Sequence, residues 1–182
     1  MSLTLAKAPS LGALLPDFRL PEPLTGRLVG PEDYPSARAI LVVFLANACP
    51  EVARLAAALS ELAHDHEPDG LQVLAVNSFD DACRPEEAPA AVAAEALRRG
   101  YVFPYLIDQT RSVARRFGAL HAPDFYLFDA RRRLFYHGRF DETRFGRQVP
   151  AHGGDLRRAV YAALGDAARP DHQVASSGCP IR

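Results

Sequence analysis

One junction constrains this chain more than any other feature. Ala39-Ile40-Leu41-Val42-Val43-Phe44-Leu45 is continuously apolar, and from Pro50 the hydrophobic period changes. An unbroken apolar run of this length suits a strand covered on both faces. Val52, Leu55, Ala56, Leu59, Leu62 and Ala63 then recur at helical spacing, with Pro50 at the favoured first helical position. Between strand and helix stands Ala46-Asn47-Ala48-Cys49-Pro50, with a single cysteine on the turn.

The remaining segments extend this alternation. Pro16 to Leu20 predicts a short strand, and Leu24 to Val29 a turn with its returning partner. Leu71 to Val76 predicts a second buried strand, followed by a polar loop from Asn77 to Glu87. Pro89 to Arg99 predicts a helix closed by Gly100, and Pro104 to Asp108 a short strand. Thr110 is the expected cap of a helix carrying Val113 and Phe117 and stopped by Gly118. Asp124 to Asp129 and Leu134 to Gly138 predict a hairpin. Asp155 is the expected cap of a last helix, ended by Gly165, and residues 166–182 read as a polar tail. This order predicts an α/β fold: a central mixed sheet, parallel at its centre and flanked by helices.

Composition narrows the function classes. A chain of 182 residues suits one domain with a single core. Its net charge of -1, from 21 basic and 22 acidic residues, gives no electrostatic support for a nucleic-acid or membrane partner. No apolar run approaches the roughly 18 residues of a membrane span. Met1 to Lys7 lacks a basic start followed by a long apolar core, so no signal peptide is expected and the cytoplasm is the expected location. Three scattered cysteines (Cys49, Cys83 and Cys179) do not suit a secreted disulfide scaffold. Every basic residue but Lys7 is arginine, as in GC-rich genomes.

Pro16-Asp17-Phe18-x-Leu20, Asn47-x-Cys49-Pro50-x-Val52, Phe103-Pro104-Tyr105-Leu106-x-Asp108, Pro123-Asp124-Phe125-x-Leu127-Phe128-Asp129, Tyr136-x-Gly138-Arg139 and Gly178-Cys179-x-Ile181 recur in family order. With these motifs the chain resembles thioredoxin-fold proteins of the alkyl hydroperoxide reductase/thiol-specific antioxidant (AhpC/TSA) type, and more narrowly their bacterial thioredoxin-like relatives. The resemblance implies a thioredoxin-like fold with an N-terminal hairpin extension. It divides the chain into an N-terminal segment (1–15), a thioredoxin-like domain (16–165) and a C-terminal tail (166–182). It also implies an antioxidant thiol oxidoreductase that meets a peroxide or disulfide substrate and a thioredoxin-like thiol reductant, with no cofactor.

The relatives read Cys-Asn-His-Cys-Pro where this chain reads Ala46-Asn47-Ala48-Cys49-Pro50. A Cys-x-x-Cys disulfide is therefore impossible here. Peroxiredoxins place their attacking cysteine at the position of Cys49, but with a threonine where this chain has Ala46. Cys49 is the candidate nucleophile. A helix start favours its thiolate, whereas Pro50 offers no N–H and Glu51 brings a negative charge. The resemblance further implies that Pro123 is cis and shapes the thiol pocket. It implies that Cys179, in the tail, or else an external thiol resolves an oxidised Cys49, with an exposed unpaired thiol the other reading of Cys179.

Other residues carry blander expectations. Cys83 reads as a bystander, His64 and His66 as solvated, and Arg131-Arg132-Arg133 as a solvated turn. Asp124 reads as a strand-edge residue without chemistry, and His121 as either a pocket residue or a plain loop residue. Two rival readings stay open: a redox-inactive thioredoxin-fold binding module, and a metal or haem held by Cys49 and His121.

Overall fold

The computed structural model describes residues 9–79, 84–143, 149–171 and 173–181. Cys83 and the segment Met1 to Lys7 lie outside the described residues. The sheet core is β3 (Ala39–Leu45), β4 (Leu71–Asn77), β5 (Tyr105–Ile107), β7 (Asp124–Phe128) and β8 (Leu134–Gly138), in the spatial order β5-β4-β3-β7-β8. β3, β4 and β5 run parallel, and β7 and β8 are antiparallel additions. The helices are α1 (Pro50–His66), α2 (Pro89–Arg99), α3 (Ser112–Phe117) and α4 (Gly154–Leu164). Two-residue strands β1 (Leu20–Pro21) and β2 (Leu28–Val29) form the N-terminal hairpin. Of the stretch Pro16 to Leu20, only Leu20 is paired, because its partner strand offers just two residues. Among the described residues, no helix is long and apolar enough to cross a membrane.

β3 explains why the sheet organises the molecule. Its residues are fully buried and alternate between two cores. Leu41, Val43 and Leu45 pack with Leu55, Leu59 and Leu62 of α1 and with Phe125 and Leu127. Ile40, Val42 and Phe44 pack with Phe117, Tyr126 and Phe128 on the other face. Each such side chain contributes about 1.5–3 kcal/mol on full burial. The alternation of successive side chains across a strand therefore commits β3 to both layers at once.

Several local expectations are corrected. α3 is capped by Asp108 rather than Thr110: its carboxylate accepts the N–H groups of Val113 (3.0 Å) and Ala114 (2.9 Å). α4 starts after Gly153, at φ 68°, rather than at Asp155. Left-handed backbone there suits glycine, and Asp155 instead accepts the Arg139 Nε–H at 2.6 Å. His66 is not solvated; it is 2% exposed, edge-on to Tyr161, and its Nε2 has no partner among the described residues. The basic turn is not simply solvated either. Arg132 donates to the carbonyls of Ala37 (2.8 Å) and Tyr34 (2.9 Å), tying the turn to the approach to β3.

Candidate active site

Cys49 is the residue that hands β3 to α1. It holds extended backbone (φ −83°, ψ 119°) as the helix cap, and it is only 2% exposed. The turn before it is held by a carboxylate that sequence reasoning read as part of a polar loop. Glu87, on a short 3-10 turn, accepts the backbone N–H groups of Asn47 (2.9 Å) and Ala48 (3.0 Å). It also accepts the Asn77 side-chain amide at 2.7 Å, and is itself 1% exposed. A buried carboxylate needs such donors to offset lost hydration. Asn47 in turn donates to the Glu86 carbonyl (2.8 Å) and accepts from the Tyr105 hydroxyl (3.2 Å). Burial is the main cause pushing the Tyr105 hydroxyl well above its ordinary value, and the nearby Glu87 charge adds to it against the Asn77 hydrogen bond. Tyr105 thus stays a donor to this turn. Ala46, where a second cysteine would stand, is buried.

The sulfur of Cys49 meets two parts of the chain. Its Sγ lies 3.2 Å from the carbonyl oxygen of Ala122. The Ala122–Pro123 peptide bond is cis. Cys49 is joined to Cys179 by a disulfide with a Cα–Cα separation of 5.9 Å, across 130 residues of sequence. Glu51, two residues after Cys49, pairs with Arg54 at 3.1 Å, which offsets the unfavourable charge read from sequence.

The tail is docked rather than free. Residues Cys179–Pro180 form β9, antiparallel to β6 (His121–Ala122), with Cys179 opposite Ala122. Ile181 N–H donates to the Leu120 carbonyl at 2.9 Å. Upstream, the Arg139 N–H donates to the Val174 carbonyl (2.8 Å), and the His137 N–H to Gln173 Oε1 (2.8 Å). A cavity of about 390 Å³ opens beside this docked segment, lined by Arg54, Pro123, Phe125, Phe140 and Ser176 among others.

Asp124 is not an edge residue. It sits on β7, between β3 and β8, is 3% exposed, and accepts from three side chains. His121 stands opposite Pro180, its Nδ1 3.3 Å from the Pro123 carbonyl. Among the described residues no group of three or more His, Cys, Asp or Glu side chains gathers as a metal site. The structure therefore brings Cys49, Pro123 and Cys179 together. It adds Glu87, Asp124 and Gly178; Asp124 and Gly178 stand in the motifs quoted from sequence, whereas Glu87 carried no such signal.

The family model of the AhpC/TSA family matches residues 11–137. This chain belongs to the AhpC/TSA family. The match ends at residue 137, so Cys179 lies outside the matched residues. A hypothetical protein from Sinorhizobium meliloti 1021 is 42% identical, with a TM-score of 0.93 over 96% of this chain and 95% of its own. An uncharacterized conserved protein from Geobacillus kaustophilus is 36% identical, with a TM-score of 0.92 over 95% of this chain and 92% of its own. A candidate thiol:disulfide interchange protein DsbE from Chlorobium tepidum shares the thioredoxin-like fold at 22% identity. Its TM-score is 0.69 over 86% of this chain and 99% of its own. No curated protein matches. Membership of the AhpC/TSA family supports a thiol oxidoreductase or peroxidase type of function, with thiol or disulfide substrates and reductants in general.

Proposed function

We propose that the protein is a thiol–disulfide oxidoreductase in which Cys49 attacks and Cys179, delivered by the tail, resolves. The observation that carries this reading is the Cys49–Cys179 disulfide beside the Ala122–Pro123 bond. In the reduced protein the Cys49 thiolate attacks one sulfur of a substrate disulfide. One substrate thiolate leaves, and a mixed disulfide forms on Cys49. Cys179 then gives up its proton, attacks the Cys49 sulfur and releases the second substrate thiolate. The substrate gains two electrons, and the protein becomes the disulfide form. A thioredoxin-like thiol reductant returns the electrons. The reading takes the protein as cytoplasmic, where such a disulfide is a transient of turnover.

The backbone around Cys49 favours a disulfide over a peroxide as substrate. A peroxide needs hydrogen-bond donors aimed at its oxygens beside the sulfur. Here the N–H groups of Asn47 and Ala48 are given to Glu87, and that of Cys49 points to the Ala46 carbonyl at 3.4 Å. Pro50 has no N–H.

The test is exchange between the reduced protein and a model peptide disulfide, followed by mass spectrometry, beside a parallel reaction with hydrogen peroxide. The expected result is rapid Cys49–Cys179 formation with the peptide, loss of turnover in Cys49→Ser, and a stalled mixed disulfide on Cys49 in Cys179→Ser. Oxidation by peroxide alone would overturn the disulfide reading, and inertness to both would return the protein to a binding module.

A further inference from the structure

The carboxylate of Asp124 lies on the face of the sheet away from the sulfur pair, yet it reaches the tail. Its Oδ1 accepts the Ser176 hydroxyl at 2.5 Å and faces His137 Nε2 at 3.1 Å; its Oδ2 accepts the Tyr126 hydroxyl at 2.9 Å. The His137 ring stacks on Tyr126, with centroids 4.1 Å apart and planes 14° from parallel. Burial, reinforced by the Asp124 charge, pushes the Tyr126 hydroxyl far above its ordinary value, so it remains a proton donor to the carboxylate. Two of the three partners come from the sheet itself. Only Ser176 comes from the tail, three residues before Cys179.

We propose that Asp124 is a positioning residue that latches the tail through Ser176 and so sets how readily Cys179 reaches Cys49. The inference rests on the exchange cycle proposed above. A hydroxyl bound to a buried carboxylate is among the stronger hydrogen bonds a short segment can make. The bond fixes the tail between the Val174 contact with Arg139 and the pairing of Cys179 with Ala122. Fewer conformations of the linking residues then remain to be lost when the sulfurs meet. The effective concentration of the Cys179 thiol at Cys49 rises accordingly.

The experiment equilibrates the full chain with oxidised and reduced glutathione. Each oxidation event consumes one glutathione disulfide, forms Cys49–Cys179 and releases two glutathione thiols. The equilibrium constant reads the effective concentration directly. Ser176→Ala, which leaves Asp124, His137 and Tyr126 in place, is expected to lower that constant roughly tenfold to a hundredfold. Ser176→Thr, which keeps the hydroxyl, is expected to restore it. Thermal midpoints of the reduced proteins measured alongside separate a latch from general destabilisation. Where the reduced tail is already docked, the same loss appears as faster amide hydrogen exchange over residues 174–181. The latch is overturned if Ser176→Ala changes neither the constant nor the exchange while the wild type forms its disulfide. A wild type that forms no Cys49–Cys179 disulfide refutes the exchange cycle instead, and the latch with it.

Discussion

Gly178 stands against the carbonyl of Ala122 so closely that a Cβ at position 178 would lie 2.0 Å from the Ala122 oxygen and 2.8 Å from Pro123 Cδ. The tail can dock in this register only because the residue before Cys179 has no side chain. Overpacking against backbone that cannot move aside costs about 1–3 kcal/mol. Gly178→Ala is therefore expected to lower the glutathione equilibrium constant of the Cys49–Cys179 pair by about fivefold to a hundredfold. The same redox titration checks it, and an unchanged constant counts against the docking register.

The two sulfurs differ in access. Cys49 is 2% exposed, whereas Cys179 is only half-buried. An incoming thiolate is expected to attack the Cys179 sulfur and release Cys49 as the thiolate at the start of α1, where the helix dipole favours it. Acid quenching of the oxidised protein during reduction by glutathione, followed by peptide mapping, should locate the adduct on Cys179 with Cys49 free. An adduct on Cys49 would refute this direction of attack.

Glu87 offers a test of the turn that holds Cys49. Glu87→Gln can place an amide N–H against the donors of Asn47, Ala48 and Asn77 that now converge on the carboxylate. A loss of about 1–3 kcal/mol in stability is expected, read as a lower urea midpoint with an unchanged slope. Faster alkylation of reduced Cys49 should accompany it as the turn loosens.

Asp141 predicts a pH dependence unrelated to the sulfur chemistry. Burial pushes its carboxyl up, but hydrogen bonds from Thr143, Gly153 and His152 outweigh burial and hold it below its ordinary value. A carboxyl depressed in the folded state adds stability above its unfolded pKa and loses it as pH falls through the folded one. Asp141→Asn should therefore destabilise the protein at pH 7, by about 1–3 kcal/mol. The gap to wild type should narrow below about pH 4, and urea midpoints at pH 7 and pH 3 decide it.

The sheet and most helices were legible because their signals are local. The unbroken run Ala39 to Leu45 and the spacing of Leu55, Leu59 and Leu62 need only burial on one or two faces to be realised. Helix caps were less legible. Asp108 sits before α3 and reaches forward over Val113 and Ala114, while the candidate nearest the helix start, Thr110, was the simpler expectation. Asp124 was misread because position along the chain does not reveal that β7 lies inside the sheet. Glu87 was missed because an acidic residue in a Pro-Glu-Glu stretch ordinarily faces water.

By itself the sequence determined the strand–helix junction, the single cysteine on it, and the impossibility of a Cys-x-x-Cys disulfide with Ala46 in place. Periodicity and residue identity are sufficient for those, since they concern neighbours along the chain. Only the tertiary structure decided that Cys179 lies within bonding distance of Cys49. It alone set Gly178 against Ala122, and carried Glu87 and Asp124 inward as acceptors for groups dozens of residues away. Those contacts follow from the pairing of β9 with β6 and the packing of loops over β3, and long-range pairing leaves no periodic trace in sequence.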